Sequence, residues 1–266
     1  MAYETTPSEF PSLPTTLIVL AHPDNGSFNG AWADATEQAS AALGHTVLWS
    51  DLNAMGFDPV EGPQHYNLED DGAPFDPLKA QENAASKTGL PGDVSAEIRK
   101  IQQADRIIFH FPLWWFSPPA ILKGWCERVL VNGALHSVDQ RFDTGLFRDK
   151  KALFCVTTGS KETESAYNGK EGNIDMLLWP MAYTLRYLGF QVLDPKTVHG
   201  VHGYHKGIAK DALHARLQLV LSAQHDVIAD FDDQPVLHFN ADSDFDDHGQ
   251  LKTTRPSLSP FIRHGR

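Results

Sequence analysis

Phe111–Val129 reads FPLWWFSPPAILKGWCERV. Its first residue closes an apolar run, Arg106-Ile107-Ile108-Phe109-His110-Phe111, which predicts a buried strand. Pro112 is expected to stop the ladder, because it has no N–H to give. Leu113, Trp114, Trp115 and Phe116 follow, then Ser117-Pro118-Pro119, then helical spacing from Ala120. A strand that empties into an aromatic loop and then a helix is how an open α/β sheet presents a flat ligand at the carboxyl ends of its strands. Four large apolar side chains in such a loop are costly to leave in water. Either a planar group covers them, or they plug a core or a subunit interface.

Working outward, Thr16–Ala21 (TLIVLA) predicts a first buried strand, and Asn25 or Ser27 caps the helix after it. Phe28, Trp32, Ala35 and Ala39 give that helix an apolar face, and Gly44 ends it. His45–Asp51 predicts the second strand. Residues 53–92 form a polar insertion, helical over Lys79–Lys87. A helix over Ser95–Ala104 feeds the Arg106–Phe111 strand. Lys151–Thr157 (KALFCVT) is the fourth strand, Ile174–Leu188 a helix, Phe190–Leu193 the fifth strand and Ala209–Ile228 a long amphipathic helix. Strand and helix alternate five times, which calls for a doubly wound α/β fold, a five-stranded parallel sheet with helices on both faces. The spacing favours the flavodoxin-like order. Three segments are expected: an N-terminal arm (1–14), one α/β domain (15–230) and an extended C-terminal tail (231–266).

The 266 residues carry a net charge of −12, with 34 acidic against 22 basic side chains. That argues against nucleic acid as a partner. No apolar run reaches the roughly 18–20 residues needed to span a bilayer. Two cysteines, Cys126 and Cys155, both in apolar runs, give no disulfide framework and point to a reducing, cytoplasmic setting. No H-E-x-x-H or Cys/His ligand pattern is present, so no metal is expected. His199, His202 and His205, spaced by three in a turn-rich segment, are read as a chance cluster.

Three loops, each following a strand, carry the chemistry. His22-Pro23-Asp24-Asn25-Gly26-Ser27-Phe28-Asn29 brings amide and hydroxyl groups to a helix N-terminus, a natural seat for phosphate. It is neither a Walker loop nor a G-x-G-x-x-G fingerprint. The Leu113–Phe116 loop offers a flat apolar wall. Thr157-Thr158-Gly159-Ser160 offers a small polar edge. A flavin nucleotide needs all three.

These residues resemble the NAD(P)H:quinone dehydrogenases of the flavodoxin-like fold. The likeness rests on Ala21-His22-Pro23 with Ser27-Phe28-Asn29, on Phe111–Val129, on Thr157-Thr158-Gly159 and on Leu178-Trp179-Pro180. The resemblance implies a homodimer with one FAD per subunit, and a ping-pong relay in which NAD(P)H and then a quinone use the same pocket. It places His22, Ser27, Phe28 and Asn29 at the phosphate end, and Leu113, Trp114, Trp115 and Phe116 on the isoalloxazine wall. Thr157, Thr158, Gly159 and Ser160 fall on its polar edge, and Arg216 near the adenosine. Trp115, Phe116 and His136 would meet the substrate, with His136 where the family has a partner-facing aromatic.

The chain departs from the family where a Tyr and a His help stabilise reduced flavin. Counting back without gaps from Trp179 puts Ser165 at the Tyr position and Glu171 at the His position; Tyr167 reaches the Tyr position only with a shifted loop. Tyr167 and Glu171 are therefore the candidates for a catalytic role, as minor contributors. Two other readings stay open: an FMN-bound azo- or nitro-aromatic reductase, and a flavin-holding regulatory subunit of a transporter, with the acidic stretch Asp230–Asp247 as a docking segment.

Overall fold

β1 (Thr15–Leu20), β2 (Thr46–Asp51), β3 (Arg106–Pro112), β4 (Lys151–Thr157) and β5 (Gln191–Val192) lie parallel in the order β2-β1-β3-β4-β5. This is the flavodoxin-like arrangement. The computed structural model describes residues 13–68 and 74–265; the expected N-terminal arm falls almost wholly outside them. β3 sits at the centre, buried along its whole length, which explains its continuous apolar character. The ladder runs one residue further than Pro112 suggested. Pro112 itself pairs with Thr157, and the Leu113 N–H reaches the Thr157 carbonyl at 2.7 Å. A proline is tolerated there because it is the strand's last residue.

The expected fifth strand is divided. β5 pairs with the start of β4, and a short strand not foreseen, β6 (Lys196–Val198), pairs with its end, Cys155–Thr157. Asp194-Pro195 separates them, and Pro195 supplies no ladder donor.

Side chains alternate across β3. Ile107, Phe109 and Phe111 point into one core with α3 (Gly92–Gln103), α4 (Ala120–Val129) and α5 (Ile174–Tyr187). Ile108 points the other way, into a core with α1 (Phe28–Ala42) and α6 (Ile208–Ala229). A buried polar network ties that second face together. Trp32 Nε1 donates to Gln224 Oε1 at 2.7 Å, and Gln224 Nε2 donates to Thr36 Oγ1 at 2.8 Å. Thr36 Oγ1 lies 3.0 Å from His110 Nε2 on β3. Burial pushes the His110 pKa down to about 3, so the ring is neutral and can share a hydroxyl.

The polar insertion contains α2 (Pro77–Asn83), capped by Asp76 and extended by a wide turn over Ala84–Thr88, in agreement with the helix expected there. It is clamped to α4. Fully buried Arg128 pairs with Asp93 at 2.7 Å and donates to the Asp58 carbonyl at 2.8 Å. A Cβ on Gly124 would lie 2.1 Å from the Pro59 carbonyl oxygen, so only glycine admits this approach.

The C-terminal segment is not the solvated tail its composition suggests. Phe231 is buried in the α1–α6 core. Leu237 N–H donates to the Val192 carbonyl at 2.8 Å and Asp194 N–H to the Pro235 carbonyl at 2.8 Å, so the segment closes the edge of β5. Two of its carboxylates are in ion pairs, Asp232 with Arg106 and Lys151 and Asp244 with Arg255; Asp242 exchanges main-chain-to-carboxylate hydrogen bonds with Asp143, which in turn pairs with Arg186. Burial would raise the Asp232 pKa, but Arg106 and Lys151 hold it below the usual carboxylate range.

The α1–α6 network makes a stability prediction. Gln224→Leu removes the acceptor of Trp32 Nε1 and leaves that buried N–H unpaired, while Thr36 Oγ1 keeps the Trp32 carbonyl at 3.0 Å and His110. One buried donor without a partner costs about 1–3 kcal/mol. The urea midpoint is expected to fall by the equivalent of about 1–3 kcal/mol at unchanged m-value; a midpoint within ~0.5 kcal/mol of the parent would show that the network adds nothing.

Candidate active site

The three strand-end loops meet, as their order in the sheet requires. After β1, the chain turns over Asp24–Ser27, with the Asp24 carboxylate accepting the Gly26 N–H at 2.8 Å. Ser27 caps α1, its hydroxyl accepting the Gly30 N–H at 3.2 Å. Among the described residues the N–H groups of Phe28 and Asn29 then have no bond to the rest of the protein. Asn29 is 3% exposed; its Oδ1 accepts the Thr157 hydroxyl at 2.8 Å, and its Nδ2 has no partner. A buried donor without an acceptor is costly, and one beside two free helix N–H groups suits an anionic ligand. His22 bonds back to the main chain of Asp24 through Nδ1, at 3.1 Å from its N–H, and its ring lies 5.7 Å from that of Trp114.

After β3, the aromatic residues do not plug the core. Leu113 packs partly against it, whereas Trp114 is 45%, Trp115 94% and Phe116 53% exposed. Trp114 and Ser117 exchange two main-chain hydrogen bonds, 2.9 and 3.1 Å, which makes Trp115-Phe116 the two-residue tip of a tight turn. Both tip residues have positive φ, +50° and +62°. Such tips normally hold Asn-Gly. Two bulky aromatics there are strained, and strain of this kind gathers at ligand clamps.

After β4, Thr157, Thr158, Gly159 and Ser160 begin a loop that returns through α5. Leu113, Trp115, Phe116, Thr158, Gly159, Ser160, Ser165, Glu171 and Leu177 line a cavity of about 300 Å³. The aromatic and polar loops are therefore opposite walls of one space. Glu171 is in it, and Tyr167, 83% exposed, is not. Ser165, at the Tyr position of the ungapped count, lines the cavity and is 4% exposed. Its signal in the sequence was only its distance from Trp179.

Next to it, a groove of about 640 Å³ runs between α4 and α5, bordered by Phe116, Lys123, Leu130, His136, Tyr183 and Tyr187. His136 stands against Tyr187, ring centres 5.2 Å apart, and its pKa is lowered chiefly by burial. Arg216 lies elsewhere. Its guanidinium donates to the His199 carbonyl at 2.5 Å, and it lines a separate cavity of about 800 Å³ with His199, Leu213 and Val220. Among the described residues no group of three or more His, Cys, Asp or Glu is arranged to hold a metal ion.

A family model described as the flavodoxin-like fold matches residues 14–221. The NAD(P)H dehydrogenase (quinone) 1 of Cavia porcellus is 39% identical over 196 residues, covering 71% of this chain and 70% of that protein. The chain belongs to the flavodoxin-like quinone dehydrogenases. Within this family, the ribosyldihydronicotinamide dehydrogenase (quinone) of Homo sapiens is 36% identical over 191 residues, covering 68% of this chain and 79% of that one. A solved structure from Klebsiella pneumoniae, provisionally assigned as a quinone reductase, superposes with a TM-score of 0.80 at 27% identity, covering 91% and 95% of the two chains. All of the crevice from His22 to Leu177 falls inside the matched segment.

The strained tip makes a prediction of definite sign. Trp115 buries almost nothing, so Trp115→Gly loses little packing and removes a left-handed penalty of about 1–2 kcal/mol. The added freedom of the unfolded chain returns about 0.4–1 kcal/mol of that. The ligand-free variant is expected to be more stable than the parent by about 1 kcal/mol in urea unfolding. A clear loss of stability would show that the turn is not strained.

Proposed function

We propose that this protein is a flavin-dependent NAD(P)H:quinone oxidoreductase that holds FAD in the crevice between the three strand-end loops. The observation that carries the reading is the convergence there of unpartnered donors, an exposed aromatic tip and a hydroxyl-lined edge, in a chain related at 36–39% identity to quinone dehydrogenases. The donor set fits the group. Ser27, Asn29 and the first N–H groups of α1 would take the phosphates. Leu113, Trp114, Trp115 and Phe116 would cover one face of the ring, and Thr158, Gly159 and Ser160 its polar edge. Arg216, in the separate cavity of about 800 Å³, would meet the adenosine that FAD carries and FMN lacks.

Bound flavin supplies two-electron hydride chemistry, accepting from a reduced nicotinamide and giving to a quinone. The chain's own work is to bind, orient and shield. Trp115 and Phe116 form an apolar wall against which planar donors and acceptors can stack in turn, worth about 0.5–1.5 kcal/mol beyond area burial. His136, its pKa lowered chiefly by burial and its Nε2 3.1 Å from the Leu130 carbonyl, borders the mouth. Glu171 brings a carboxylate into the ring-edge cavity, where an ionised carboxylate accepts hydrogen bonds but donates none.

The test is a pair of half-reactions. Purified protein is expected to be yellow and to release FAD, rather than FMN, on acid extraction. Anaerobic NADH, NADPH or dihydronicotinamide riboside should bleach it, and a small naphthoquinone should restore the colour, with parallel-line initial-rate kinetics. A colourless protein, or one that a quinone does not reoxidise, would end this reading.

Assembly is part of the same proposal. Leu122, Trp125 and Val129 of α4 are buried in the core and leave none of their apolar surface for a partner. What remains for a partner is the aromatic-edged groove between α4 and α5, beside the mouth of the ring cavity. The protein is read as a twofold homodimer closing that groove, burying more than a standard ~1,600 Å². Light scattering at low micromolar concentration is expected to give twice the 29.5 kDa chain mass. A fully active monomer would refute a shared site.

A further inference from the structure

Three hydroxyls stand in a row in the ring-edge cavity. Thr158 Oγ1 lies 2.9 Å from Ser160 Oγ, and Ser160 Oγ makes a close contact with Ser165 Oγ. The Ser160 N–H also donates to Thr158 Oγ1, at 3.3 Å. All three residues line the cavity, and Thr158 and Ser165 are buried. Among the described residues their hydroxyls bond to no other side chain. The loop that carries Ser165 is tightly closed. The Ser165 N–H donates to the Lys161 carbonyl at 3.1 Å, and the Ser165 carbonyl accepts the Ile174 N–H at 3.1 Å. A Cβ on Gly169 would lie 2.1 Å from the Glu164 carbonyl oxygen, which leaves the loop no slack.

The protons of this row can be counted. Each hydroxyl brings one, and two links between three hydroxyls use two. One is left over, at Ser165 when the row runs from Thr158 and at Thr158 when it runs the other way. The row can offer a donor at either end, and rotation of the hydroxyls exchanges the two states without moving a heavy atom. No other side chain lining the cavity can switch its donor in this way. Glu171 is an acceptor when ionised, Leu113, Phe116 and Leu177 are apolar, Trp115 carries a single fixed indole N–H on a side chain that is almost wholly exposed, and Tyr167 does not line the cavity.

We infer that the Thr158–Ser160–Ser165 row is the hydrogen-bond donor that this pocket turns on the edge of its ring ligand. It holds charge that develops there without taking up or releasing a proton. The inference rests on the flavin reading given above. A donor aimed at developing charge in a site shielded from water acts more strongly than in solvent, and hydrogen-bonded hydroxyls polarise one another. Hydroxyls of Ser and Thr do not ionise at working pH, so the row stabilises the reduced state by donation alone. Ser165 is a positioning and charge-stabilising residue on this account, in the place where the family's Tyr would stand.

The test uses the holoenzyme and reads the two-electron midpoint potential of its flavin by dye equilibration. Ser165→Ala is expected to lower the preference for reduced over oxidised flavin about tenfold, a shift of about 30 mV to more negative potential. Ser165→Thr, which keeps the hydroxyl, should stay within about threefold of the parent. Retained oxidised-flavin content in both shows that the pocket is intact. Should Ser165→Ala lose its flavin, Ser165→Cys, which keeps the size of the side chain but offers only a weak S–H donor, is read in the same way and is expected to shift in the same direction. An unchanged potential in Ser165→Ala, or a shift seen only in Glu171→Gln, overturns the inference while leaving a yellow, reducible enzyme and the flavin reading in place. A parent protein without flavin overturns both.

Discussion

Thr157 holds the site together from the end of one strand. Its carbonyl receives the Leu113 N–H, the last rung of the β3–β4 ladder, and its hydroxyl reaches across to Asn29 on the first turn of α1. One residue thus fixes the start of the aromatic loop, the start of the polar loop and the mouth of the phosphate-type helix. The bonds are buried, where a lost partner costs more than a made bond gains. The sheet beneath supplies the rigidity. β3 is packed on both faces, so the loops at its end inherit a fixed origin while their tips stay free to differ.

The aromatic tip shows what that rigidity permits. Two left-handed aromatics stand exposed on a turn whose backbone would suit glycine, a local cost that the scaffold tolerates. The compensation is spread over the molecule: the Arg128 clamp on the insertion, the α1–α6 network and the ion pairs of the C-terminal segment. A surface this exposed and this rigid is suited to stacking, since little freedom remains to be lost when a ring arrives.

The sequence made the central sheet readable because parallel strands announce themselves. Ile107-Ile108-Phe109 and Leu153-Phe154-Cys155-Val156 are apolar without interruption, as only a strand covered on both faces can be. The three loops were readable because each follows such a run. Less legible were features set by distant contacts. β6 has only three residues, too few for a period to show. The C-terminal segment looked solvated because its Asp and Ser content conceals that Phe231 and Leu237 are anchors and that Asp232 has cationic partners, Arg106 and Lys151, far away in the chain. Glu171 and Ser165 were placed by counting back from Trp179. That Ser165 lines the cavity and Tyr167 does not depends on the loop's main-chain bonds, which no local pattern encodes.

The strap formed by Pro235–Leu237 along β5 bears on how the chain reaches this shape. An uncovered strand edge is a template for other chains. Here the cover comes from residues more than forty positions after the strand it protects, beyond the whole length of α6. During vectorial synthesis the sheet can assemble while its border on that side is still bare, and only later translation seals it. The interval is the time needed to make and dock α6 and the strap, several seconds at about 5–20 residues per second. Chaperone demand would therefore concentrate late in synthesis, on a molecule whose crevice is already built.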